Sequence, residues 1–341
     1  MCIPLSCASY KLIIGNCGYT SMQSKLKGNL YMFAAKTFSG LNENALRYLL
    51  PGWMNAMSGV VLRLGIGSLL FWIWGFFRHK KEPKARFRDI AALFAIGLVF
   101  VFGYMWSLLE GLSYTTPISS SIFISLQPVF VFIICLCLRT EKATVGKVLG
   151  ILIGFGGAML CVLTQKSSAV ASDPFKGNMF CLMSAVLYSA YLVIEKIYLK
   201  RLSAATVSKW TFFGGAVAAA VVVCFTGWDA PVLHQNIFSV PMLVLLFVLI
   251  FPSFLSYLLQ DFALKILPAT VVSLYGDLIL IVAAIASYIL GQDLFSWWQI
   301  LAILLMLVSV FLVERSERKT PQEATSVSAE SANKIVEKQK D

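Results

Sequence analysis

Apolar residues in this chain come in blocks of about twenty, and charge collects between the blocks. Ten blocks can be drawn, at residues 27–49, 53–77, 90–110, 117–138, 145–164, 177–199, 205–226, 240–260, 268–290 and 297–314. As helices, such blocks are long enough to cross roughly 30 Å of hydrocarbon. Pro51-Gly52, Arg78–Arg88, Pro117, Arg139–Lys142, Asp173-Pro174, Pro268 and Gly291–Asp293 punctuate them, as helix breakers and charged connections should. The first block is the most polar, interrupted by Lys36, Asn42, Glu43, Asn44 and Arg47. The pattern predicts an all-α polytopic membrane protein with ten transmembrane helices.

Charge asymmetry assigns sides. One set of alternating connections holds Arg78, Lys80, Lys81, Lys84, Arg86 and Arg88, then Arg139, Lys142 and Lys147, then Lys200, Arg201 and Lys209, then Lys265. The other set holds Lys166 and Lys176, with Arg47 near a helix end. Lys and Arg stay on the cytoplasmic side, so both termini are expected inside, and the expected location is a bacterial inner membrane. Residues 1–25 carry only a short apolar patch, Leu12 to Ile14, and no signal-peptide pattern. Met22 directly precedes the first long block, so translation from Met22 is one expectation. Residues 315–341 are polar with mixed charge, which reads as a solvated, disordered cytoplasmic tail.

Composition agrees with this picture. Of 341 residues, 58% are hydrophobic and 13% charged, against about a quarter charged in soluble domains. The net charge of +11 raises nucleic acid as a partner. That partner needs a basic face with base-reading groups, whereas these cations sit between apolar runs, and no nucleic-acid binding is expected. Cys135, Cys137, Cys161, Cys181 and Cys224 lie inside apolar blocks and read as buried small hydrophobes. His79 and His234 are the only histidines, and no zinc, phosphate-loop or hydrolase constellation can be assembled around them. No cofactor or metal is expected.

The chain repeats itself. Ala263-Leu-Lys-Ile-Leu-Pro268, Val271-Val-Ser273 and Leu290-Gly-Gln-Asp293 follow Gly111-Leu-Ser-Tyr-Thr-Thr-Pro117, Ser119-Ser-Ser and Leu138-Arg-Thr-Glu141 at a shift of 152 residues. Gly28-Asn29 pairs with Gly177-Asn178 at nearly the same shift. Two halves, 26–164 and 173–314, then contain five spans each. Because five is odd, the second half crosses in the opposite sense. Inverted repeats of this kind are a device for alternating access around a midplane site.

The same residues carry a family resemblance. Leu126-Gln127-Pro128 followed by Leu138-Arg-Thr-Glu141 resembles the paired motif of the EamA-type drug/metabolite transporter superfamily, and Gly177-Asn-Met-Phe with Ser184–Tyr191 resembles the start of that family's second half. The resemblance covers roughly residues 26–314 and implies ten helices in two EamA-type halves that export or exchange metabolites. Gln127 stands where the family pattern has Glu, Ile279-Leu280 where it has a second Glu-Pro, and Arg139 where it has Gly.

Candidate pathway residues are the polar groups at membrane depth, where a charge costs about 2.5–3.5 kcal/mol on insertion scales. Asp277 lies near the middle of the ninth block, in a helical stripe with Ser273, Ala284 and Tyr288, and the 152-residue shift sets Ser121 and Ser125 opposite Ser273 and Asp277. A structural ion pair is the competing explanation. Arg63 is deep in the second block and can pair with Asp277, bind an anionic solute, or snorkel. Asn42 and Glu43 break the first block, and Gln127 precedes a proline that frees a backbone carbonyl. Tyr104, Tyr188, Tyr191 and Tyr257 can line an amphipathic cavity or simply pack. Glu110 and Asp261 end the third and eighth blocks and read as pathway mouths or as solvated interface residues. Trp53, Trp72, Trp74, Trp297 and Trp298 read as interfacial anchors.

The functional expectation is a secondary transporter, an exporter of small amphipathic metabolites, working by alternating access. Its expected partners are a small-molecule substrate, the lipid bilayer and a coupling proton, in a monomer or homodimer. The competing readings are a nucleotide-sugar or phospho-metabolite exchanger and a membrane-embedded lipid-processing enzyme. Two measurements follow. A cysteine at position 234 should react with an impermeant reagent from outside and one at position 84 should not; the reverse pattern overturns the topology. Asp277→Asn should insert normally and lose transport or its pH response, whereas full transport with an unchanged pH response removes Asp277 from the pathway.

Overall fold

The structure is a computed structural model that describes residues 7–50, 52–77, 85–138, 144–164, 172–267, 272–273, 275–292, 296–305, 307–309, 311–312 and 315. The side chains of 7–25 and of Asp277, the Arg139–Glu141 motif and the tail from 316 lie outside that description. Helices dominate: α1 (Cys7–Leu49), α2 (Ala56–Phe77), α3 (Phe87–Ile96), α4 (Phe102–Tyr114), α5 (Pro117–Ile124), α6 (Gln127–Cys137), α7 (Val145–Thr164), α8 (Pro174–Leu199), α9 (Ala204–Thr226), α10 (Val240–Ile250), α11 (Ser256–Ile266) and α12 (Gly276–Ile289). Two π-helical segments, Gly97–Val101 and Phe251–Leu255, join α3 to α4 and α10 to α11 into continuous rods.

Six of these units are long and apolar enough to cross a membrane: Ala56–Phe77, Phe87–Tyr114, Pro117–Cys137, Pro174–Leu199, Ala204–Thr226 and Val240–Ile266. Shorter apolar helices run over Val148–Gly157, Leu278–Ile289 and Trp297–Ser309. Large apolar side chains such as Leu69, Phe76, Leu152, Phe225 and Ile289 are exposed, as suits helices surrounded by lipid. The chain is an integral, polytopic, all-helical membrane protein. Cys135 and Cys181 are buried as expected, but Cys137 and Cys224 lie on this outer surface, where a thiol is apolar enough to be tolerated.

Local chemistry explains the breaks. Thr116 caps α5, its hydroxyl accepting from the Ser119 amide, with Pro117 in the first turn. Pro128, in the first turn of α6, interrupts the rod at Ser125–Leu126. The missing proline N–H costs nothing at that position. Arg47, which looked like a stray charge near a helix end, caps another helix. Its guanidinium donates to the carbonyls of Leu112 (3.0 Å) and Ser113 (3.4 Å) in the last turn of α4, groups that have no intrahelical donor.

The helices α3 and α9 touch through glycine. A Cβ on Gly97 would stand 2.1 Å from the Thr211 carbonyl oxygen, and one on Gly214 would stand 2.2 Å from that of Phe94. Small residues allow such backbone approach between membrane helices. Neither neighbour is a side chain that can turn aside. Gly214→Ala should therefore lower stability in detergent by about 1–3 kcal/mol, the usual range for overpacking, read as a fall in thermal midpoint. Gly75→Ala, where nothing lies within 4 Å, should not; equal behaviour of the two variants disproves the close contact.

Candidate functional site

The element α1 places Lys36, Ser39 and Glu43 on one face at helical spacing, with Asn42 beside them. Around that face α2 brings Arg63, α4 Tyr104, the α5–α6 break Ile124 and Gln127, α8 Ser184 and Tyr188, the second π segment and α11 Pro252, Ser256, Tyr257 and Gln260, and α12 Ile279. They enclose a cavity of about 60 Å³. That volume holds a few water molecules and no metabolite. Lys36, Glu43 and Arg63 are each at most 3% exposed.

Arg63 owes its position to a proline. Pro252 has no N–H for the carbonyl of Val248, and the ladder widens into the π segment there. The Ser253 hydroxyl donates to the freed Val248 oxygen at 2.7 Å and accepts from Nε of Arg63 at 2.9 Å. One guanidinium nitrogen, Nη1, is buried without an acceptor on the protein.

Lys36 is held by the opposite wall. Its ammonium donates to Gln260 Oε1 at 3.0 Å and to the Tyr188 hydroxyl at 3.4 Å, while Tyr188 donates to the same Gln260 oxygen at 2.5 Å. The nitrogen also lies 5.3 Å from the centre of the Tyr188 ring, within cation–π range. Glu43 accepts from the Ser120 hydroxyl at 2.8 Å and feels Arg63 across the cavity. The hydroxyls of Tyr104 and Tyr257 meet at 2.8 Å. Ser184 donates to the Tyr104 carbonyl, and Ser256 to that of Ala35. Four polar atoms of the lining are not spent on the protein: Arg63 Nη1 and Gln260 Nε2 as donors, Asn42 Oδ1 and Gln127 Oε1 as acceptors.

Of the residues singled out from sequence, Asn42, Glu43, Arg63, Tyr104, Gln127, Tyr188 and Tyr257 converge on this cavity. Tyr191 is buried one turn behind Tyr188, its ring 6.2 Å from that of Tyr188. Ser273 is buried and is not among the lining residues, Tyr288 is a third exposed, and the side chain of Asp277, the centre of the expected stripe, lies outside the description. Glu110 is half-buried within electrostatic reach of Lys176. Asp261, expected at an open mouth, is instead fully buried, because Ser208 of α9 donates to it and Glu195 of α8 closes over it. Sequence reading passed over Lys36, Ser39, Ser184, Ser256 and Gln260 as lining residues, and Glu195 altogether. Lys36 was visible as a charge inside an apolar block, and Glu195 stands 152 residues after Glu43, the shift already found between the halves.

The comparisons with known proteins agree with a transporter. A Bacillus subtilis (strain 168) protein named "Uncharacterized transporter YyaM" is 24% identical over 282 residues, covering 82% of this chain and 92% of its own. A WAT1-related protein of Arabidopsis thaliana is 26% identical over 333 residues and 85% of either chain. A solved crystal structure shares the fold at a TM-score of 0.61 and 16% identity, over 87% of this chain and 98% of the other. Residues 26–163 and 175–315 each match the EamA-like transporter family, and the chain belongs to that family of membrane transporters.

Proposed function

We propose that the protein is a ten-helix secondary transporter in which two inverted five-helix halves, residues 26–164 and 173–314, expose the central cavity alternately to the two sides. Both termini are cytoplasmic on this reading, and the direction is export from the cytoplasm of a bacterial cell. The observation that carries it is the cavity itself, small and lined by buried charges, with walls drawn from both halves. A site with room only for water must open to admit a solute.

Three features support the two-half reading. The family match occurs twice. The π segments Gly97–Val101 and Phe251–Leu255 occupy corresponding places in the two halves. Residues about 152 apart meet across the cavity, Lys36 with Tyr188 and Tyr104 with Tyr257, as groups near an internal two-fold axis would.

The unspent groups define the solute. Arg63 Nη1 and Gln260 Nε2 offer donors to an anionic group, Asn42 Oδ1 and Gln127 Oε1 offer acceptors to a donor such as an amine, and three tyrosine rings offer apolar faces. A small amphipathic molecule bearing both an acid and a donor group fits this set. Glu43 in the same cavity disfavours a dianionic phosphate, the ligand of an exchanger for phospho-metabolites. Asp277 remains assigned to the pathway on its depth and repeat position, with Glu110 at a mouth.

Proteoliposomes loaded with a defined mixture of amino acids, carboxylic acids and sugar phosphates test the reading by mass spectrometry of what leaves. Efflux of acids bearing a donor group is expected. Arg63→Gln removes a charge-assisted bond of about 1.5–3 kcal/mol, so efflux should fall about ten- to a hundredfold at subsaturating solute. Efflux of sugar phosphates alone replaces this reading with the exchanger, and wild-type efflux by Arg63→Gln removes Arg63 from recognition.

A further inference from the structure

Behind the cavity wall lies a pair of carboxyl groups that the transport site does not use. Glu195 of α8 is 1% exposed and Asp261 of α11 is 0% exposed. Tyr191 donates to Oε1 of Glu195 and Ser208 donates to Oδ2 of Asp261. The other two oxygens, Glu195 Oε2 and Asp261 Oδ1, are buried with no such donor, and the two carboxyl groups lie within hydrogen-bonding reach of each other.

Ionised carboxylates only accept hydrogen bonds. Two that face one another inside a protein cannot both stay ionised without strong repulsion, so such a pair takes up one proton and titrates as a unit. Several packed elements contribute to its surroundings. Lys36 of α1 attracts Glu195, Lys265 on α11 attracts Asp261, Tyr257 on α11 lies within electrostatic reach of Glu195, Tyr188 and Tyr191 flank the pair from α8, and Ser208 is the contact from α9. Asp261 directly follows Gln260, the residue that holds Lys36 and Tyr188 in the cavity.

We propose that Glu195 and Asp261 form a proton-binding site which shares one proton between the two carboxyl groups and exchanges it during each transport cycle. The exchange rests on the transporter reading above; the proton site does not. With the proton bound, Glu195 and Asp261 hydrogen-bond each other and Lys36 stays on Gln260. When the proton leaves, two negative charges draw Lys36 towards Glu195. That movement frees one lone pair of the Gln260 oxygen and the acceptor side of the Tyr188 hydroxyl, while Tyr188 still donates to Gln260. Lys36 is the link, because it lines the cavity and also attracts Glu195 of the pair.

The full-length protein in lipid nanodiscs tests the site by pH-difference infrared spectroscopy. A carboxylic-acid carbonyl band that appears on acidification and shifts in heavy water is expected. It should be lost in Glu195→Gln and in Asp261→Asn and kept in Asp89→Asn, whose carboxylate forms a surface ion pair with Arg201. Either amide can donate to the remaining carboxylate, so both variants keep the internal bond. Should they fail to fold, Tyr191→Phe and Ser208→Ala strip donors from the pair and must shift the band. No titrating band, or one unchanged in all four variants, overturns the site. In the efflux assay an imposed pH gradient should change wild-type flux, with the response lost in both amide variants. Wild-type flux indifferent to the gradient overturns the exchange step. If no solute moves at all, the transporter reading fails, while the infrared band still decides whether the proton site exists.

Discussion

Charge held at membrane depth governs how these helices fit together. A charged group there costs about 2.5–3.5 kcal/mol even on permissive scales, and Lys36, Glu43 and Arg63 are each met by a hydrogen bond from a different helix. Lys36 ties α1 to α11 through Gln260, Glu43 ties α1 to α5 through Ser120, and Arg63 ties α2 to the second π segment through Ser253. Hydrophobic burial cannot choose between neighbouring helices when lipid is as apolar as leucine. These directional bonds can choose. On the proposed reading, the residues that would bind a solute also set the packing, so admitting a solute and shifting the helices would be one event.

Backbone chemistry makes that event affordable at particular places. Pro252 leaves the Val248 carbonyl without its usual donor, and the Ser253 hydroxyl substitutes for the lost amide. A rod whose ladder is already open at one turn bends there more readily than elsewhere. The opened turn lies beside the cavity, next to Ser256 and Tyr257. The first π segment begins at Gly97, whose backbone contacts that of Thr211. There the neighbouring helix is held so closely that relative sliding is opposed by backbone rather than by side chains. Compliance sits at the second segment and a tight contact at the first.

How much of this was legible in sequence depended on contrast. Arg63, Asn42 and Glu43 stood out because they interrupt apolar runs, and all three reach the cavity. Gln260 and Ser256 did not, because a span near its end is expected to turn polar. Glu195 was hidden by Lys196. An adjacent acid and base give no sign in sequence of which one faces inward, since successive helical residues point about 100° apart. Here Lys196 turns out to the Leu267 carbonyl at 2.6 Å while Glu195 turns in. Asp261 was misjudged for a related reason: the helix runs on past it to Ile266, and which helices cover it depends on packing. The π segments left no trace in hydrophobic periodicity, since one widened turn alters the pattern by less than its natural scatter.

The placement of the acids has a further consequence. A carboxylate in the solute site competes with the solute's own acid for Arg63, so a second one there would weaken recognition as it strengthened proton binding. Glu43 is the single acid of the lining among the described residues, and it is engaged by Ser120. Neither Glu195 nor Asp261 is among the lining residues. Protons can move along hydroxyls and carboxyls through packing that excludes a metabolite, so a proton site gains nothing from opening onto the solute. What the two sites do need is a charge that responds to both. Lys36 meets that need because its long, flexible stem lets one ammonium serve either partner, and a shorter cation at the same position could not reach across.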